Sequence, residues 1–214
     1  MRGILAGVAL LVAASGIAEA ACKDEVAAAL ERQRKASSFR MQTTMLSQDG
    51  PVSMTVDYVL PDRMHQFVTV LKDPKPVETV LIGKQAWSRQ GDGPWQMLQQ
   101  ETANQLAEQM KDTVSEDGAK LGDFECLGKQ AVAGKDFLAY QGENEDPNQK
   151  KDPAAQNLPK EPDRPIRIIY VDPTTGLPMR SVFGRANKLE KPIFEATYSY
   201  PIDIKVEAPK PDAK

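Results

Sequence analysis

Few side chains in this sequence of 214 residues are suited to catalysis or to metal binding. It contains one histidine, His65, and two cysteines, Cys22 and Cys126, whereas a structural zinc site normally takes four such ligands. His65 lies in MHQF on a predicted strand, which is typical of a structural histidine. No G-x-S-x-G, P-loop or G-x-G-x-x-G motif occurs. Paired carboxylates for glycoside hydrolysis come together only in the folded chain, so the sequence does not exclude them. Apart from that possibility, we predict no enzyme, no cofactor and no metal.

The position of Cys22 allows more than one modification. Residues 1–20 combine a lone arginine, an apolar run and small residues before a cleavage site after Ala20, which is the layout of a secretory signal peptide. A secreted chain meets an oxidising compartment, so the favoured prediction is a disulfide between Cys22 and Cys126. The alternative is a lipoprotein acylated at Cys22, but Glu19 stands where lipoprotein signals normally place a bulky aliphatic residue. A retained membrane anchor is a third alternative, although no charged stop-transfer cluster follows.

The composition excludes one class of partner and favours one domain. With 27 Lys and Arg against 30 Asp and Glu, and no long basic run, the chain lacks the cationic surface that binds nucleic acid. Its 41% of hydrophobic residues is enough for a packed core. We predict a monomeric domain over residues 21–208, followed by a frayed tail at 209–214.

Hydrophobic spacing predicts two helices. Residues 23–36 are rich in alanine, with apolar positions along one side. Residues 101–117 place apolar side chains, among them Leu106 and Met110, at intervals of three and four. Gly118 is expected to cap this second helix. Both helices need an apolar surface to cover.

Most of the remaining chain alternates between apolar and polar residues, which predicts short β-strands. Turn residues separate them, such as Asp49-Gly50-Pro51 and the DPKP segment at 73–76. The strands number about ten and follow one another in sequence, which favours antiparallel pairing of neighbours. We therefore predict an α+β, mainly β fold: one strongly curved antiparallel sheet with helices packed on its concave side.

The segment 143–165 differs in composition from the rest of the chain. It holds five prolines and many charges, and Leu158 is its only large aliphatic residue. Such a segment buries too little surface to offset the entropy of ordering, which predicts an exposed, flexible insertion between two strands. A functional lid is the alternative.

The order of several segments is similar to that of a known family. They are a helix ending in ASSF, the strands FRMQTTM and TVDYVLPDRMHQFVTV, then ETVLIGKQAWSRQGDGPWQ, and late in the chain YVDPTTGLPMRSVF and ATYSYPIDIKVEAP. This order resembles the LolA-like family of periplasmic lipoprotein carriers and their relatives. The resemblance implies an unclosed antiparallel β-barrel of about eleven strands. It also implies that helices close the mouth of the barrel over an apolar cavity that receives acyl chains.

One departure from the family bears on function. Lipoprotein carriers typically have an arginine directly before the proline of the PDRM-like segment, where it is tied to the release of cargo, whereas Leu60 precedes Pro61 here. Arg63 lies at a shifted register, so the role is not transferred to it. The family also includes sensor domains of envelope-stress regulators and lipid-binding lipoproteins. The fold alone therefore does not determine the activity.

We predict a periplasmic carrier that holds an apolar ligand, a lipid or a lipoprotein acyl chain, and passes it to an acceptor in the inner or outer membrane. Methionine suits a lining that must accept several apolar shapes, and seven methionines follow the signal segment. The alternatives are that these side chains fill a core, or that the face of Met54, Val56 and Tyr58 points outward. An envelope interaction or sensor domain without lipid cargo is the competing function. The predicted cavity lining, with Trp87 near the rim, is Met41, Met45, Met54, Val56, Tyr58, Trp87, Leu106 and Met110.

Overall fold

The computed structural model describes residues 15–47, 50–70, 72–114, 122–143 and 163–210. These residues form two helices and eleven strands. In chain order they are α1 (Ser15–Lys35), β1 (Ser38–Ser47), β2 (Gly50–Val59), β3 (Arg63–Val70), β4 (Asp73–Ile82), β5 (Gln85–Gln90), β6 (Gln96–Met97), α2 (Gln100–Val114), β7 (Phe124–Val132), β8 (Lys135–Glu143), β9 (Pro165–Val171), β10 (Pro178–Arg185) and β11 (Phe194–Ser199).

All eleven strands belong to one antiparallel sheet. Their order is β6-β5-β4-β3-β2-β1-β11-β10-β9-β8-β7, so β6 and β7 are its two ends and the sheet is not closed into a barrel within the described residues. Every neighbour in this order is also a neighbour in sequence, except β1 and β11. The predicted mainly β fold, with one unclosed antiparallel sheet and packed helices, is confirmed.

The first and last strands pair at the centre of the sheet. Met41 lies opposite Tyr198, and Met45 lies opposite Phe194. This pairing joins β1 to β6 on one side to β7 to β10 on the other. The two ends of the chain therefore meet in the middle of the sheet, and the middle of the chain supplies both of its edges.

Helix α1 is longer than the sequence predicts. It begins at Ser15 instead of residue 23 and ends at Lys35. Val26 and Leu30 are buried against β7, β8 and β9, which explains the apolar positions along one side. The helix continues through Ala20 without a break. The structure therefore does not test cleavage after Ala20, which stays a prediction.

A disulfide ties α1 to the edge strand β7. The structure joins Cys22 to Cys126, as the favoured prediction expects, across a sequence separation of 104 residues. Nearby, the Tyr140 hydroxyl donates a hydrogen bond of 2.5 Å to Glu25 Oε2. The helix is thus held to its end of the sheet by a covalent bond, a hydrogen bond and apolar packing.

Helix α2 covers the other end of the sheet. Ala103 and Met110 are buried, and Leu106 packs against the same cluster from a half-buried position. The predicted apolar stripe therefore faces β4 and β5. The predicted end of this helix at residue 117 and its cap at Gly118 lie outside the described residues.

The prediction that DPKP at 73–76 separates two strands is wrong. Strand β4 spans Asp73–Ile82 and includes both prolines. Its register with β3 shifts between Val68 and Val70, so the prolines lie at a β-bulge. A bulge leaves residues out of the hydrogen-bond ladder, and proline has no N–H to donate there. The short strand β6 was also not predicted.

A tight turn joins β9 to β10, as the sequence Pro-Thr-Thr-Gly predicts. The amides of Thr174 and Thr175 each donate to Asp172 Oδ1 at 2.8 Å. Gly176 has φ of 67°, which only glycine adopts without strain. The hydrogen bonds from Thr175 and Thr174 lower the pKa of the Asp172 carboxyl below its usual value.

Several predictions fall at or beyond the limits of the described chain. Strand β8 includes Glu143 and β9 begins at Pro165, so the two boundary residues of the predicted insertion belong to strands. Residues 144–162, residues 1–14 of the predicted signal peptide and residues 211–214 of the predicted tail lie outside the described residues. In the parts that the structure describes, no helix has the length and apolar character to cross a membrane.

Candidate functional site

Both helices lie on the same face of the sheet, which we call the concave face. Directly paired residues in neighbouring antiparallel strands point to the same side. The register links Ile169 of β9 to Ser181, Ser181 to Ala196, and Ala196 to Thr43 of β1. Ile169 belongs to the cluster under α1, whereas Met41, two residues from Thr43, belongs to the cluster under α2. One continuous face therefore carries two separate apolar clusters.

The cluster under α2 is filled by its own side chains. Phe39 and Tyr58 stack with ring centroids 4.7 Å apart, at the middle of the cluster. Burial of Tyr58 raises the pKa of its hydroxyl above the usual value, and the neighbouring Tyr198 raises it further. The hydroxyl therefore stays protonated. The buried members are Phe39, Met41, Val56, Tyr58, Met64, Leu81, Ala86, Ala103, Met110 and Ala196.

Beyond the α2 cluster, two rows of mostly apolar side chains cross the concave face. We call these rows the concave strip. Each row takes one residue from each of five adjacent strands, and the two rows run in the same direction. All residues of the first row are half-buried, whereas in the second row only Ala196 and Thr43 are buried. The first row is Phe183, Phe194, Met45, Val52 and Val70, and the second is Ala196, Thr43, Met54, Val68 and Val77.

The concave strip retains access to solvent while the α2 cluster does not. Val77 is 40% exposed, and Met54 and Phe194 pack against the α2 cluster from half-buried positions. The strip is therefore an open extension of a filled core. An apolar patch that stays open on a folded protein is typical of a binding surface.

A polar group ends the strip on the β9 side. Arg167 lies opposite Phe183, in line with the first row, and its Nε is 3.4 Å from Ser181 Oγ. Beside it is a cavity of about 10 Å³, the room that one water molecule needs. Its walls are Leu30, Gln33, Arg167, Ile169, Pro178, Ser181 and Tyr198.

The structure divides the predicted lining into three groups. Met45 and Met54 lie in the concave strip. Trp87 is paired with Val80 and Met97, so it lies on the opposite, convex face of the sheet. The remaining five residues belong to the filled α2 cluster; they are Met41, Val56, Tyr58, Leu106 and Met110.

The partners of Met45 and Met54 in the strip do not follow from local sequence patterns. Phe194 lies next to Met45 only because β11 pairs with β1, and Phe183 follows from the pairing of β10 with β11. Alternation within each strand predicts which residues share a face. It does not predict that distant strands become neighbours.

Leu60, which replaces the arginine of the lipoprotein carriers, has a packing role. Its side chain is half-buried against the α2 cluster. Arg63, the nearest arginine, donates from Nη1 to the Val206 carbonyl oxygen at 3.3 Å. The residue before Pro61 therefore offers an apolar side chain and no guanidinium.

Thr43 in the concave strip holds a buried hydroxyl without a hydrogen-bond partner among the described residues. Burying an unpaired hydroxyl costs about 1 to 3 kcal/mol. We expect Thr43→Val, which keeps the shape and removes the hydroxyl, to raise the free energy of unfolding by about 1 kcal/mol in urea denaturation. Ser38→Ala is the control, because Ser38 Oγ donates to the Pro201 carbonyl oxygen at 3.0 Å and its removal is expected to destabilise. Equal losses in both variants would contradict this.

The convex face carries charge pairs. His65 Nε2 lies 3.2 Å from Glu78 Oε2, and Arg89 donates to Glu78 Oε1 at 2.7 Å. On neighbouring strands, Arg40 makes two hydrogen bonds to Asp57. His65 thus has a hydrogen-bonding partner, Glu78, on the face away from the helices. Across the described residues, no group of three or more His, Cys, Asp and Glu side chains comes together as a metal site.

Solved structures share this architecture. The lipoprotein LppX of Mycobacterium tuberculosis superposes with a TM-score of 0.60 at 12% identity, covering 88% of this chain and 99% of LppX. LprF of Mycobacterium bovis gives a TM-score of 0.58 at 12% identity, covering 89% of this chain and 97% of LprF. The likeness is one of fold, and the LolA-like fold implied by the order of segments is confirmed. No protein-family model and no curated protein matches the sequence.

Proposed function

We propose that this protein binds a long-chain lipid, or the acyl chains of a lipoprotein, on the concave strip and carries it between membranes of the cell envelope. The observation that supports this is the open strip of half-buried apolar side chains beside a filled core. An acyl chain gains about 0.8 kcal/mol for each CH₂ that it removes from water. A ligand crossing the strip would bury its own chain and the side chains beneath it.

An envelope location is supported by two features of the chain. Residues 1–20 have the layout of a secretory signal peptide, and Cys22 is joined to Cys126. Disulfides persist in the oxidising compartments outside the cytoplasm. The shared fold with the lipoprotein LppX agrees with such a location. The acceptor of the cargo would be a protein of the inner or outer membrane.

The proposed lining differs from the predicted one. Met45 and Met54 remain in it, and the neighbouring strip residues Val68 and Phe194 are added. The predicted residues of the α2 cluster form the floor beside the strip and do not contact the ligand. Trp87 is left out because it lies on the convex face.

The proposal is tested by making the strip polar at two adjacent positions. Met54 and Val68 face each other in adjacent strands and are half-buried. The double variant Met54→Gln, Val68→Gln is expected to bind the uncharged fluorophore N-phenyl-1-naphthylamine at least about tenfold more weakly than the native chain, since 1.4 kcal/mol of lost apolar contact is enough for that change. The measurement is a fluorescence titration.

A matched control lies one residue further along the same strands. Thr55 and Phe67 also face each other, but on the convex face. Thr55→Gln, Phe67→Gln is expected to leave binding unchanged. Equal binding by both double variants, each verified as folded by circular dichroism, would place the ligand elsewhere and refute the proposal.

A second candidate function is an interaction or sensor domain that holds no lipid. The filled α2 cluster favours it, because much of the concave face is occupied by the protein's own side chains. Native mass spectrometry of protein purified without detergent from the envelope fraction distinguishes the two functions. Added lipid mass supports the carrier, and a bare chain that also fails to bind the fluorophore supports the interaction domain.

A further inference from the structure

Thr43 places an unsatisfied hydroxyl near the middle of the concave strip. Its side chain is 3% exposed, and its Oγ1 has no hydrogen-bond partner among the described residues. In the second row of the strip, Thr43 lies between Ala196 and Met54 on the neighbouring strands, and both of these side chains are apolar. A buried hydroxyl without a partner lowers stability, so its presence indicates a use other than holding the fold together.

A second polar side chain reaches the same part of the strip. Gln66 lies on the concave face of β3, two residues from Val68, and its Nε2 donates to Met54 Sδ at 2.7 Å. A thioether is a weak acceptor, so an oxygen acceptor in its place would bind this amide more strongly. Met54 thus lies between two hydrogen-bonding groups, the Thr43 hydroxyl on β1 and the Gln66 amide on β3.

These two groups select the kind of polar atom that a ligand can bring to the strip. A carbonyl oxygen has two lone pairs, so it can accept from the hydroxyl, from the amide or from both. The residues of the concave strip include no ionisable side chain. Burying an unpaired charge among apolar side chains costs far more than burying a hydrogen-bonded carbonyl. The strip therefore suits an uncharged acyl group such as an ester.

We propose that the ligand is an uncharged acyl ester, and that its carbonyl oxygen accepts a hydrogen bond from the Thr43 hydroxyl beside Met54. This inference rests on the proposed function and adds the chemical class of the ligand. Thr43 is covered by its neighbours, so the ester displaces one of them to reach the hydroxyl. Met54 is half-buried, unbranched and flexible, and its movement also frees the Gln66 amide for the same carbonyl.

The test compares two ligands that differ by one carbonyl oxygen, octyl octanoate and dioctyl ether. Each competes for N-phenyl-1-naphthylamine on the native chain and on Thr43→Val. The variant is expected to bind the ester about five- to tenfold more weakly, the size of one hydrogen bond, and the ether within about twofold of the native chain. Each ligand leaves the same water in both titrations, so this difference isolates the hydrogen bond to the protein.

Stability distinguishes this role from a structural one. Thr43→Val removes an unpaired buried hydroxyl and is expected to be more stable than the native chain, so weaker ester binding in it does not come from misfolding. Thr43→Ala provides a second variant without the hydroxyl and is expected to show the same selective loss. Thr43→Ser retains the hydroxyl and is expected to keep the native difference between ester and ether.

Thr55→Val is the matched control. Thr55 follows Met54 on β2 and faces Phe67 on the convex face, so the loss of its hydroxyl is expected to leave both affinities unchanged. Ester and ether affinities that fall equally in folded Thr43→Val and Thr43→Ala, or that do not change, would overturn the inference and leave the proposed function standing. Failure of both ligands to compete with the fluorophore on the native chain would instead refute the proposed function.

Discussion

Replacing Cys22 and Cys126 together with alanine is expected to lower the free energy of unfolding by about 4 to 5 kcal/mol. The disulfide closes a loop with a sequence separation of 104 residues, and it restricts the unfolded chain accordingly. It also attaches α1 to β7, at the edge of the sheet where only one strand is a neighbour. Urea denaturation of the native and double-variant chains measures the difference.

Reduction of the native protein provides the control for this prediction. Dithiothreitol breaks the same bond while keeping both sulfur atoms, so it separates the cross-link from the packing of the buried Cys22 side chain. The reduced native chain and the double variant are expected to agree within about 1 kcal/mol. A loss below 1 kcal/mol in both would show that the cross-link does not stabilise the fold.

Truncating Phe39 to alanine is expected to destabilise the protein by about 3 to 5 kcal/mol. The ring is 2% exposed and stacks on Tyr58, and the centroids of Tyr198 and Tyr200 lie 6.4 and 6.2 Å away. Phe39 thus connects β1, β2 and the chain around β11 in the α2 cluster. Its removal leaves a cavity that rigid neighbouring strands cannot fill.

Phe137→Ala is the matched control for Phe39→Ala. Phe137 is half-buried, and its aromatic contact is an edge approach to Tyr170 at 6.4 Å. Its truncation is expected to cost about 1 kcal/mol. Chemical denaturation of both variants measures the difference, and similar losses would contradict the central role of Phe39.

Local sequence patterns predicted the elements of the fold well. The alternation in β1 and β2 follows from side-chain geometry within a single strand, and the apolar stripe of α2 follows from that within a single helix. Each pattern is therefore visible in a short stretch of sequence. The prolines of β4 led to the wrong prediction of a break between strands. A bulge accommodates them within the strand, and a bulge depends on the partner strand. Tertiary contact with β7 to β9 explains why Val26 and Leu30 of α1 are buried.

The candidate site was predictable only in part. Met45 and Met54 share a face because each lies on an alternating strand, and the register of β1 with β2 brings those faces together. The place of Phe194 in the concave strip depends on the pairing of β11 with β1, two strands that are distant in sequence, and no local pattern contains that pairing. Trp87 shows the same limit, since a shift of one residue moves a side chain to the other face.

The central position of β11 determines when the domain can be completed. Synthesis proceeds from the N-terminus, so β1 to β6 and β7 to β10 are made before the strand that connects them. Until β11 is inserted, β1 and β10 are both open edges with unpaired backbone groups, and such edges promote aggregation. Pairing of the first strand with the last also requires closure of a loop nearly as long as the domain, which slows folding. The chain is therefore most prone to aggregation just before β11 is added, when the two partial sheets still lack the strand that joins them.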